Sequence, residues 1–221
     1  MRVLSGLLLV QTAPLDAAVC RRRALLGCAS GATALVAAPY GGHAATGAAD
    51  ELYELVRARR PSQWQDSERA RVDALVEAVV NQNAPWPRGG LVGKWRLAYL
   101  QPGPDGVGVD RRIPFPEFEF NENYQVFQQN PGRVTNIGEV LGPAVRVEVR
   151  GGIEELDISV TRSPKRFRAL IDAGALCAGS ACAPLPISGE GLFDGVYLDD
   201  RIRVGQNLNG GGARIVQVRV E

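Results

Sequence analysis

From residue 91 onward the chain repeats one pattern: short runs in which apolar and polar side chains alternate, broken by turn-forming residues. Period-two alternation is the mark of a strand with one buried face and one wet face. Trp95, Leu97 and Tyr99 alternate with Lys94, Arg96 and Ala98, and Val145, Val147 and Val149 with Arg146, Glu148 and Arg150. Leu156, Ile158 and Val160 form a third run, Phe167, Ala169 and Ile171 a fourth, and Val216, Val218 and Val220 a last. The breaks carry turn chemistry at Asn130-Pro131-Gly132, Gly151-Gly152, Ser163-Pro164 and Asn209-Gly-Gly-Gly212. About eight short strands of this kind make an antiparallel meander, compatible with two packed sheets or a closed barrel. Gly174 to Gly195 reads as the main irregular stretch.

Residues 50–84 follow a different period. Leu52, Leu55 and Val56 share one face of a short helix that Pro61 ends. Ser62 and Gln65 stand at capping-box spacing, and Val72, Leu75, Val76, Val79 and Val80 give the 3.6-residue repeat of a second helix. Asn83, Pro85 and Pro87 close it. These helices are expected to cap one end of the strands.

Residues 1–44 read as a targeting segment. Arg21, Arg22 and Arg23 precede a weakly apolar run, Ala24 to Ala38, and small residues follow at Gly42, Ala44 and Ala45. That order suits a cleaved signal of the twin-arginine type. Preceded by residues 1–20 as a short transit peptide, it suits a two-part address to the thylakoid lumen of a plastid. Cleavage is expected near Ala44 or Ala45, leaving 45–221 as the body.

Composition excludes much of the usual chemistry. The only histidine is His43, so a body without residues 1–44 has none. That removes Ser-His-Asp triads, Cys-His dyads and His-bound metals. Two cysteines remain, Cys177 and Cys182, too few for a four-cysteine zinc site. Four of the 25 basic residues and one of the 24 acids lie in residues 1–44, which leaves the body near −2. No basic excess points to nucleic acid. Glu154-Glu155-Leu-Asp157 and Asp199-Asp200 are carboxylate clusters whose plain reading is a solvated strand edge. No catalytic residue, metal or cofactor is expected.

Three stretches together resemble the plastid lipid-associated protein family, also called fibrillins. They are Leu91-Val-GKWRLAY, NYQVFQQNPGRVTNIGEV at 123–140, and GVYLDDRIRVGQNLNGGGARIVQV at 195–218. The resemblance covers residues 50–221 and departs at Gln206-Asn207, where members carry Arg-Gly. It implies an antiparallel lipocalin-like β-barrel over 91–221 preceded by the helices of 50–84. It also implies association with plastid lipids at plastoglobules or thylakoids, without catalysis. Gly93-x-Trp95 is similar to the opening motif shared with lipocalins, in which the Trp plugs the closed end and a late-strand arginine packs over it. Arg203 is the expected partner.

On this reading the apolar faces line a cavity. Leu97, Tyr99, Phe127, Val147, Ile158 and Val218 are the candidate lipid-binding residues. The expected ligand is a lipid or isoprenoid such as a quinone or carotenoid. Arg57, Arg59 and Arg60 form a basic tip that can touch anionic thylakoid membrane, or stand as a plain solvated helix end. The other reading is a structural or assembly factor with a packed core that docks on thylakoid lipid or a photosynthetic complex. Cys177 and Cys182 flank four residues, enough for the chain to turn back on itself, so a disulfide is expected in an oxidising compartment. Two free small residues would suit the stroma.

Overall fold

Nine strands and two helices form from this pattern in the computed structural model, which describes residues 46–103, 120–129, 132–209 and 211–220. Helix α1 (Thr46–Val56), a 3₁₀ turn (Pro61–Gln63) and helix α2 (Asp66–Val80) come first. The strands follow: β1 (Gly93–Gln101), β2 (Glu122–Gln128), β3 (Arg133–Glu139), β4 (Val145–Glu155) and β5 (Lys165–Ala178). Then come β6 (Ala181–Leu185), β7 (Gly189–Leu198), β8 (Ile202–Asn207) and β9 (Arg214–Val220). The expected targeting segment, residues 1–44, lies outside the described residues, and with it Arg21, Arg22 and Arg23.

The strands hydrogen-bond in the order β4-β3-β2-β1-β9-β8-β7-β5-β6, every neighbour antiparallel, and β4 pairs with β5 as well. That extra pairing joins the ends of the sheet. Eight strands therefore close into a barrel, with β6 outside the ring on the far half of β5. Among the described residues closure leaves no long sheet edge open to another chain. Of the two architectures compatible with the alternation, the barrel forms.

Residues facing each other across an antiparallel ladder lie on one face of the sheet. Trp95 faces Gln125 and Arg219, Leu97 faces Gln217, and Arg203 also faces Gln217, so all six share the inner face. A bulge between Leu97 and Tyr99 then reverses the alternation of β1. The inserted residue, Ala98, turns Tyr99 outward onto the face of Val216 and Val218. That outer wall of β1, β9, β8 and β7 is where the helices lie. Ala49, Leu52 and Val56 of α1 and Val72, Val76 and Val79 of α2 bury against Tyr99, Ile202, Val204, Val216 and Val218.

Polar contacts fix the helices to this wall. Trp64 Nε1 donates to the Ala98 carbonyl at the bulge (2.9 Å), and the Trp64 ring meets Tyr99 edge-on at 5.4 Å. Tyr99 Oη donates to Asp73 (2.7 Å), and burial, then this bond, pushes its pKa above the usual phenol range. Arg96 donates to the carbonyls of Arg57 and Arg59, just beyond α1, and Arg201 pairs with Asp50. A cation at the carbonyl end of a helix is favoured by the helix dipole.

Several expectations change. The helices cover the side wall and do not cap an end. The cap of α2 is Gln65, whose N–H donates to the Glu68 carboxylate, in place of Ser62 with Gln65. Leu156 to Val160 form the turn after β4 rather than a strand. Gly174 to Gly195 is mostly strand: β5 and β6 make a two-residue hairpin, and Gly179 (φ 60°) supplies the positive φ of the first turn position. Cys177 and Cys182 face each other across it and are disulfide-bonded.

Leu52 is fully buried between helix and barrel, so Leu52→Ala is expected to cost about 2–5 kcal/mol in denaturant unfolding. Ile158 is 81% exposed, and Ile158→Ser is expected to stay within about 0.5 kcal/mol of wild type.

Candidate functional site

The inner face of the barrel is built in layers. At the end where β1 begins, Trp95, Phe127, Val134, Ala169 and Leu198 form an apolar cluster. The segment between α2 and β1 presses Trp86 and Leu91 onto it. This segment is pinned to the β4–β5 turn: Trp86 N–H donates to the Thr161 carbonyl (2.9 Å) and Ser163 N–H to the Ala84 carbonyl (2.9 Å). Gly195 makes room for the Trp86 ring, since a Cβ there would lie 2.2 Å from its nearest ring atom. Trp86 was not singled out in the sequence. The proline flanks Pro85 and Pro87 are the only signal that its segment does not continue the helix.

An arginine over the motif tryptophan closes this end, but it is not Arg203. Arg219 of β9 sits directly opposite Trp95 and stacks on it, the guanidinium carbon 4.3 Å from the ring centre. Its nitrogens donate to the carbonyls of Asp200 (2.8 Å), Val92 (2.8 Å) and Gly90 (2.7 Å). Trp95 Nε1 donates to the Leu91 carbonyl (2.8 Å). Barrel closure sets the choice: β9, not β8, is the neighbour of β1. Gly93 completes the clamp. Its φ of 136° suits glycine, and a Cβ would lie 2.5 Å from Arg219 Nη1.

Beyond this cluster lies a polar belt. Gln125, Asn136, Arg203 and Gln217 all point inward, next to Val149 and ahead of a second apolar cluster of Phe120, Val140, Val147, Val149 and Ile171. Gln125 Nε2 donates to Asn136 Oδ1 at 2.7 Å. Among the described residues four buried atoms of the belt have no hydrogen-bond partner: Gln125 Oε1, Asn136 Nδ2, Arg203 Nη1 and Gln217 Oε1. Arg203 is 2% exposed, and its guanidinium carbon lies 4.6 Å from the Phe127 ring centre and 5.9 Å from that of Phe193. Burial pushes its pKa down to about 9, which leaves it charged at neutral pH.

The six candidate lining residues divide. Leu97, Phe127 and Val147 face the lumen. Tyr99 lies on the outer wall under the helices because of the bulge at Ala98, and Val218 lies there opposite Arg96 and Ile202. Ile158 is in the exposed turn after β4. In the carboxylate clusters, Glu154 pairs with Arg168 and Glu155 with Lys165, while Asp199 accepts the backbone N–H groups of Arg201 and Ile202. Arg57, Arg59 and Arg60 pair with Glu54, Glu68 and Glu122, so the basic tip is internally neutralised. Among the described residues no helix is long and apolar enough to cross a membrane, and no group of three His, Cys, Asp or Glu side chains is placed to hold a metal ion.

No family model, curated protein or solved structure matches the chain.

The clamp predicts two costs. Trp95→Ala is expected to destabilise by about 3–5 kcal/mol as a fully buried aromatic truncation. Gly93→Ala is expected to cost about 1–3 kcal/mol from backbone strain and crowding of Arg219. Denaturant midpoints measure both, and wild-type stability in Gly93→Ala would contradict the close packing.

Proposed function

We propose that this protein is a non-enzymatic binder of a lipid or isoprenoid, held in the barrel lumen, in the plastid and within reach of thylakoid membrane. One observation carries the reading: the apolar, aromatic inner face of the barrel holds a few inward-pointing polar groups that, among the described residues, have hydrogen bonds unmade. Apolar walls with a small number of convergent polar groups are the common form of a small-molecule site. A buried polar atom without a partner costs about 1–3 kcal/mol, so four in one layer are costly unless something else completes them. An eight-stranded barrel is just wide enough for one small ligand.

The barrel holds its occupant by removing apolar surface from water, at about 25 cal/mol per Å². The end plugged by Trp86 and Trp95 lies opposite the cluster that includes Phe120, Leu185 and Ile187. The Cys177–Cys182 bond lies at the cluster's end of the barrel and suits an oxidising compartment, which supports the lumenal address read from Arg21 to Arg23.

Native mass spectrometry of the protein purified from its own compartment is expected to show a mass above that of the polypeptide. Organic extraction should release the excess as a lipid or isoprenoid. A polypeptide mass alone, with nothing extractable, would contradict the binding role and favour a packed assembly factor.

A further inference from the structure

Four arginines on the outer face of the barrel have carboxylates beside them: Arg133 with Asp172, Arg166 with Asp194, Arg168 with Glu154, Arg214 with Glu77. Arg203 does not. Among the described residues it makes no ion pair, although it is the most deeply buried guanidinium of the barrel wall. A buried cation is expensive unless paired. The Phe127 and Phe193 rings offer cation–π attraction, which offsets part of the cost but cannot neutralise the charge. The belt around it, Gln125, Asn136 and Gln217, is uncharged.

We infer that the lumen receives an amphipathic acid, an apolar chain ending in one anionic oxygen group, whose head pairs with Arg203 Nη1. The inference rests on the binding role proposed above and specifies the chemistry of its ligand. The apolar clusters on either side of the belt accept the chain. Asn136 Nδ2 is a second free donor for the head, and the carbonyl oxygens of Gln125 and Gln217 accept from a bound water or from a hydroxyl on the ligand. Gly205 lets the guanidinium lie against the wall: a Cβ there would stand 3.3 Å from Arg203 Nη2. The lowered pKa of Arg203 has burial as its cause and no acidic neighbour opposing it, in keeping with a charge left for the ligand to balance.

A carboxylate and a phosphate monoester share this chemistry, and the test separates them. Hexadecanoate, hexadecyl phosphate and hexadecan-1-ol, which share one chain length, are titrated into the full chain and into Arg203→Met and Arg203→Lys. Wild type is expected to bind at least one acid about tenfold or more tighter than the alcohol, the gain of one charge-assisted hydrogen bond. The tighter acid names the head group. Arg203→Met should keep the alcohol and lose the preference, and Arg203→Lys should retain part of it. Without ligand, Arg203→Met should melt no lower than wild type, because it removes a buried unpaired charge. Equal binding of acids and alcohol by wild type, or an undiminished preference in Arg203→Met, would overturn the head-group inference and leave the binding role standing. Binding of none of the three would overturn both.

Discussion

The stack of Arg219 on Trp95 is the contact on which the barrel depends. It lies across the β1–β9 ladder, the seam where the first and last strands of the chain meet. The same guanidinium gathers the carbonyls of Gly90, Val92 and Asp200, so one side chain holds the approach to β1, its start and the β7–β8 turn. Gly93 is what allows the approach. With that end closed, Trp86 and Leu91 can pack onto a fixed floor. The inner face then has a sealed end and an end away from it.

The second constraint is that β1, β9 and β8 are buried on both faces. Inside stand Trp95, Leu97, Gln217 and Arg203; outside, under the helices, stand Tyr99, Val216, Val218 and Ile202. A single inserted residue, Ala98, makes this possible in β1 by passing the aromatic series from the lumen to the helix interface. The helices therefore stabilise the wall from behind, and the lumen is left to carry polar groups. The two faces contrast: apolar packing satisfies the outer interface, whereas the inner belt holds charge and amide groups whose bonds are unmade among the described residues. Stability alone would favour a hydrophobic residue at position 203.

Much of the fold was legible. The two helices, the antiparallel strands and the Cys177–Cys182 pairing follow from periodicity, turn residues and spacing, whereas closure into a barrel was implied only by the family resemblance. What was hidden had specific causes. An alanine bulge leaves no trace in an alternating sequence, so Tyr99 read as a lumen residue. Ile158 continues an alternation that the chain has already left for a turn. The β5–β6 hairpin is rich in Gly and Ala, which read as loop because small residues carry little strand signal. The arginine of the clamp was misassigned because proximity was judged without the closure of the ring, which places β9 next to β1. Of the polar belt only Arg203 was singled out, and as the partner of Trp95: Gln125, Asn136 and Gln217 lie with it on four different strands, and only the register brings them to one level.

The central claim is that the belt around Arg203 is completed by a bound molecule. A crystal structure of the protein purified natively, without added lipid, tests it directly at the position between Arg203 Nη1, Asn136 Nδ2 and Gln217 Oε1. The account predicts elongated non-protein density there, with its polar end on Arg203 and its body against Phe127 and the apolar clusters. A lumen filled by the chain itself, with Arg203 paired to one of the protein's own carboxylates, would contradict it.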